Sequence, residues 1–218
     1  IQAGVLQGDV KDVLLLDVVP EEAVDRDCLA RIAKEKMHKS DPEMLMKRSF
    51  ADRITPGNLE DDLHLIEDYD WVIEVVIEDL GVKRSLYSRI AEHLGPKTIL
   101  SSNTSTLPRS SLTDGMPIGV ASRFLITHFF NPPRYLPLLE VVSGKEVDDE
   151  VISRFSDFAD VRLGKRVVNC NDTPGFIGNR LGVFFIQRAL KATIDHALTV
   201  EQADAMLGRP IGVPKTAV

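Results

Sequence analysis

Val13-Leu14-Leu15-Leu16-Asp17 (VLLLD) is an unbroken apolar run that closes on an acid. A short run, apolar throughout, predicts a strand buried on both faces, as in a parallel sheet. Pro20 follows, and Glu21 and Glu22 are expected to open a helix, since acids suit the positive end of the helix dipole. Leu29, Ile32, Ala33 and Met37 then recur at helical spacing, with Arg31, Lys34, Glu35 and Lys36 between them. Asp41-Pro42 breaks or restarts this helix, which is expected to continue through Met44, Leu45 and Met46. Ahead of the run, Ile1 to Gly8 ends in a glycine and reads as the second half of a helix.

The alternation continues along the chain. Arg53 to Leu59 and Trp71 to Val76 read as strands, with a small helix over Asp61 to Asp68 between them. A helix over Glu78 to Leu94 ends at Gly95-Pro96, and Thr98 to Ser101 is a third strand after the first. A short helix over Pro108 to Asp114 leads to strands at Phe124 to Phe130 and Leu138 to Val142. Asp148 to Val161 is helical, and Arg166 to Asn169 is the last strand. Strands alternating with helices predict an α/β fold, a doubly wound sheet of the Rossmann-like kind. After Asn171-Asp172-Thr173-Pro174 the pattern changes. Pro174 suits a first helical position, with Asp172 or Thr173 as cap. One long helix is expected from Gly175 to Leu198 and a shorter one from Val200 to Leu207. The boundary falls near 171, giving an α/β domain over 1–171 and the start of an all-α domain over 172–218.

Composition narrows the function classes. The 218 residues are 44% hydrophobic and 27% charged, an ordinary globular balance. A formal net charge of −7 argues against a nucleic-acid-binding surface. Cys28 and Cys170 lie far apart with no partner motif, which points to a reducing compartment, hence a cytoplasmic location, and to no zinc site. No apolar run approaches the ~18 residues that span a bilayer, so no membrane segment is expected. The chain does not start with Met and shows no signal peptide, so it reads as part of a longer protein.

Thr127 to Val142 (THFFNPPRYLPLLEVV) sets His128 beside an apolar run and Glu140 inside a second one. Unpaired polar or charged groups in such places are costly, so the two are expected to satisfy each other. A carboxylate on one imidazole nitrogen fixes the tautomer and leaves the other nitrogen to take a proton. His38, His64, His93 and His196 lack such a setting and read as surface or helix residues. Ser102-Asn103-Thr104-Ser105 follows a strand. Its hydroxyls suit either a capping turn or, at the carboxyl end of a parallel strand, a ligand site. Asp17, an acid at a strand end, suits the ribose hydroxyls of a dinucleotide. The G-x-G-x-x-G turn that normally precedes such an acid is not found, because the early glycines Gly4 and Gly8 have the wrong spacing. That turn and its strand are expected immediately before Ile1.

With THFFNPP, SSNTST and NDTPGFIGNR together, the chain resembles the 3-hydroxyacyl-CoA dehydrogenase family, in particular the dehydrogenase part of bacterial multifunctional fatty-acid-oxidation proteins. The resemblance implies a Rossmann-like NAD domain followed by an all-α domain. It implies NAD-dependent interconversion of L-3-hydroxyacyl-CoA and 3-ketoacyl-CoA, as in fatty-acid beta-oxidation. By resemblance, the catalytic histidine falls on His128 and its glutamate on Glu140. Ser105 and Asn179 are the groups expected at the substrate oxygen. On the cofactor side fall Asp17, Glu78, Lys83, Asn103 and Asn131. A lysine that some members set against CoA falls near Lys34 and Lys36, and the sequence does not choose between them. The family also implies an acyl-CoA substrate, a homodimer formed through the helical domain and fusion to an enoyl-CoA hydratase domain. Two other readings stay open: an acyl-CoA-binding or oligomerisation fragment without activity, and a dehydrogenase of a related hydroxy acid.

Overall fold

The computed structural model describes residues 10–212, so the expected helix at Ile1 to Gly8 lies outside the described residues. The chain divides into two compact units, Ile1–Thr173 and Pro174–Val218.

In the first unit, β1 (Val13–Asp17) pairs in parallel with β2 (Ile54–Asn58), from Val13 opposite Ile54 to Asp17 opposite Asn58. Helix α1 (Cys28–Met37) packs on this pair, and Leu15, Ala30, Met37, Leu45, Ala51 and Ile54 form its core. The helix starts later than Glu21. Glu22 takes φ 60, a left-handed conformation that cannot continue a helix, and Ala23 closes a turn on the Pro20 carbonyl (3.2 Å). The helix also does not resume at Met44. The carbonyls of Glu43 and Leu45 are bonded from outside by Arg134 (2.6 and 2.9 Å), which competes with a helical ladder there.

A second sheet has the order β3 (Trp71–Glu74), β4 (Ile99–Ser102), β5 (Phe124–Phe129), β6 (Leu138–Val142), β7 (Arg166–Cys170). Helix α2 (Leu80–His93) connects β3 to β4, and α3 (Arg109–Thr113) and α4 (Ile118–Ala121) connect β4 to β5. These crossovers make β3, β4 and β5 parallel. β6 runs antiparallel to β5 and parallel to β7. The reversal follows from length. Only residues 130–137 join β5 to β6, fewer than the dozen or so that a parallel crossover needs. Leu100, Phe124, Leu125, Ile126, Leu139 and Val142 are wholly buried. Each such side chain contributes roughly 1.5–3 kcal/mol by leaving water. Helix α5 (Asp149–Asp157) covers one face with Phe155, which meets Trp71 edge-on at 5.0 Å.

The facing edges of β1 and β3 have no ladder partner among the described residues. Between them lies a cleft of about 1470 Å³, lined by all of β1, all of β3 and apolar side chains such as Met37, Leu86, Ile90 and Phe158.

The second unit holds α6 (Gly178–Asp195) and α7 (Val200–Leu207). α6 is shorter than its apolar pattern because Gly175 and Phe176 before it, and Ala197 after it, have positive φ. A capping box between Thr199 and Gln202 starts α7. Leu181, Phe184, Leu190 and Ile194 of α6 are exposed.

Candidate active site

The antiparallel return of β6 places His128 directly opposite Glu140. His128 Nδ1 lies 2.7 Å from Glu140 Oε2, and both residues are buried (5% and 1% exposed). Glu140 accepts, so Nδ1 carries the proton in the neutral ring and Nε2 is the basic nitrogen. Phe130 lies against the imidazole, its centroid 4.6 Å away. Cys170 is a further neighbour that sequence spacing did not single out. Burial first, and then the Glu140 charge, push its thiol up to about 11.

The loop after His128 is tied down at both ends of its turn. Lys165 donates to the carbonyls of Pro133 and Leu136, and burial lowers its pKa. Tyr135 donates to the Glu43 carbonyl (3.0 Å), beside the Arg134 contacts. Asn131 sits on this loop and lines a crevice of about 230 Å³ with Ser40, Met44 and Tyr135.

The turn after β4 carries Ser105. Asn103 Oδ1 accepts from the Phe129 amide (2.9 Å), which fixes the turn beside His128. On the other side, Glu78 Oε1 accepts from Thr104 Oγ1, from the amides of Ser105 and Thr106 (3.2 Å each) and from Thr106 Oγ1 (2.9 Å). Burial acts to raise the Glu78 pKa, but the Thr104 and Thr106 hydrogen bonds and the Lys83 charge outweigh it and hold the carboxyl at about 2. Asp172 accepts from the amides of Arg109 and Ser110 (2.6 and 2.9 Å), so it caps α3 rather than the helix after it.

Lys83, expected among the cofactor contacts, is 1% exposed. Its Nζ donates to Glu74 Oε1 (2.7 Å) and Val76 O (3.3 Å) and pairs with Glu78 Oε2 (3.3 Å). In this arrangement the ammonium faces protein acceptors. Asp17 stands exposed at the carboxyl end of β1, where its Oδ1 accepts from Val18 N (2.8 Å). Lys34 Nζ is tied to the Ile54 carbonyl (2.7 Å), whereas Lys36 is exposed. Asn179 lies in the first turn of α6, in the second unit, and is half-buried.

The geometry fits a dinucleotide in part. Asp17 offers an exposed carboxylate at the rim of the β1–β3 cleft, as ribose hydroxyls require. No turn of backbone amides for a pyrophosphate occurs at that rim among the described residues. Among the described residues there is also no His/Cys/Asp/Glu group that could hold a metal ion, and no helix is long and apolar enough to cross a membrane.

The mostly parallel α/β sheet is that of an NAD-binding dehydrogenase domain. The chain belongs to the 3-hydroxyacyl-CoA dehydrogenase family: residues 3–173 match that family's NAD binding domain. It is 43% identical, over 99% of its length, to a Rickettsia felis protein named for a trifunctional enzyme of the fatty acid oxidation complex, and spans 30% of that protein. It is 42% identical, over 92% of its length, to a Deinococcus radiodurans protein named for 3-hydroxyacyl-CoA dehydrogenase, and spans 58% of it. The crystal structure of Escherichia coli 3-hydroxybutyryl-CoA dehydrogenase is similar at TM-score 0.67 and 29% identity, over 89% of this chain and 39% of that one.

Proposed function

We propose that the protein containing this chain oxidises L-3-hydroxyacyl-CoA to 3-ketoacyl-CoA in fatty-acid oxidation, with His128 as the general base. The observation that carries the proposal is the buried 2.7 Å contact between His128 and Glu140. NAD, when bound, supplies the hydride acceptor. His128 Nε2 takes the hydroxyl proton, and Glu140 stabilises the imidazolium that results and keeps the ring oriented. Ser105 and Asn179 hydrogen-bond the substrate oxygen, a role that suits the hydroxyl and amide they carry. Asp17 holds the adenosine ribose, and Asn103, Asn131 and Glu78 shape the nicotinamide end. The family names among the relatives support acyl-CoA as substrate and fusion to further fatty-acid-oxidation activities.

The β1–β3 cleft belongs to the same proposal. It is walled by two parallel-type strands whose facing edges have no ladder partner among the described residues, and by apolar side chains, so it suits one further parallel strand. A strand there would carry its following turn to the rim beside Asp17, where the dinucleotide reading requires a glycine turn.

The test is made on the full-length protein. Incubated with NAD and an L-3-hydroxyacyl-CoA, it should form reduced nicotinamide and 3-ketoacyl-CoA, with little reaction of the D isomer. No reduction with either isomer would overturn the proposal.

A further inference from the structure

Glu74 is buried at the end of β3, and the family reading gives it no role. Its carboxylate takes four donors. Oε1 accepts from Lys83 Nζ (2.7 Å) and the Val76 amide (2.6 Å), and Oε2 accepts from Tyr87 OH (2.6 Å) and Ser102 Oγ (2.7 Å). Burial first, and then the Glu74 charge, raise the Tyr87 pKa, so its hydroxyl stays a donor. The four donors come from α2, β4 and the loop after β3, so one side chain of β3 ties these elements together at the carboxyl end of the sheet.

Two lines of contact run from Glu74 to the turn that carries Ser105. The first runs through Lys83, which it holds within 3.3 Å of Glu78, whose other oxygen gathers the amides of Ser105 and Thr106. The second runs through Ser102, whose Oγ accepts from the Thr104 amide (3.3 Å). A carboxylate with four good donors is locked in place, and a locked group transmits its position to what it holds. Lys83 is also the only cation paired with both Glu74 and Glu78 among the described residues.

We infer that Glu74 is a positioning residue of the active site: through Lys83 and Glu78 it sets the turn that carries Ser105, which Asn103 ties to the Phe129 amide next to His128. It touches neither substrate nor cofactor. The inference rests on the proposed dehydrogenase reaction.

The test compares Glu74→Gln, Glu78→Gln and the double variant in the full-length protein. Glu74→Gln, which leaves the buried Lys83 without one of its two carboxylates, should lower the melting temperature, keep the acyl-CoA KM within about threefold and lower kcat about 10- to 100-fold, the scale of a small misplacement at a reacting group. The double variant should lose no more than the worse single, because both act on one line of contacts. Amide exchange at Ser105 and Thr106 should quicken in each. If Glu74→Gln fails to fold, Glu74→Gln with Lys83→Met removes both buried charges together and is read the same way. Ser102→Ala, which deletes one hydroxyl, should still quicken exchange at the Thr104 to Thr106 amides. Unchanged kcat and unchanged exchange in a folded variant would overturn the inference. An unsubstituted protein with no dehydrogenase activity would instead overturn the reaction assignment, and the exchange measurement would still decide the role of Glu74.

Discussion

His128 and Glu140 sit opposite each other on two antiparallel strands, Nδ1 to Oε2 at 2.7 Å, in an otherwise parallel region of the fold. The short β5–β6 connection is what allows this. A crossover helix would have made β6 parallel to β5, and the cross-strand register that pairs position 128 with position 140 would be lost. Both residues are almost fully buried, so each supplies what the other lost on leaving water. Removing either one alone leaves its partner's polar atom without that contact.

Asp172 gives a test of stability apart from chemistry. It accepts two amides at the start of α3 from a position far along the chain. Asp172→Ala should cost about 0.5–2 kcal/mol, the range for a lost helix-start acceptor. Urea unfolding of the two proteins measures it, and an unchanged midpoint would show that solvent replaces the carboxylate without loss.

Glu78 gives a prediction in pH. Its folded pKa of about 2 lies below its ordinary value of 4.5. A depressed carboxyl stabilises the folded chain above the ordinary value, and that contribution is lost as pH falls towards the folded one. The melting temperature of the unsubstituted protein should therefore exceed that of Glu78→Gln at neutral pH. The gap should shrink as pH falls from about 4.5 towards about 2. A gap independent of pH would mean that the carboxylate charge does not hold the Ser105 turn.

The β1–β3 cleft gives a prediction in binding. Residues 1–218 alone should bind NAD weakly, since the described residues offer Asp17 but no amide turn for the pyrophosphate. A chain extended upstream by ~15–20 residues should bind it, if that segment supplies the strand and glycine turn. Calorimetric titration of both chains decides the matter, and tight binding by the short chain would show that the cleft needs no further strand.

Much of this was legible in the sequence for definite reasons. VLLLD and LLEVV are short apolar runs and each is a strand, while in WVIEVV the strand ends at Glu74. His128 and Glu140 stood out because polar groups in apolar runs need partners. Other features depend on contacts that no local pattern records. Glu22 looks like a helix opener by charge, yet its backbone is left-handed. Lys83 stands among the cofactor residues by resemblance, yet it is buried and paired with Glu74 of the preceding strand. Glu74 itself reads as one acid within a strand, and its four donors come from α2, β4 and the loop after β3. Asp172 reads as a cap for the helix that follows it but serves α3, more than sixty residues earlier in the chain.

The most direct measurement is turnover of His128→Gln in the full-length protein. Glutamine keeps a polar side chain beside Glu140 but cannot accept a proton at neutral pH. With His128 as general base, kcat should fall by about 10²- to 10⁴-fold while the melting temperature and NAD affinity stay near those of the unsubstituted protein. Turnover within a few-fold of the unsubstituted protein would contradict the account, and the base would have to be sought elsewhere.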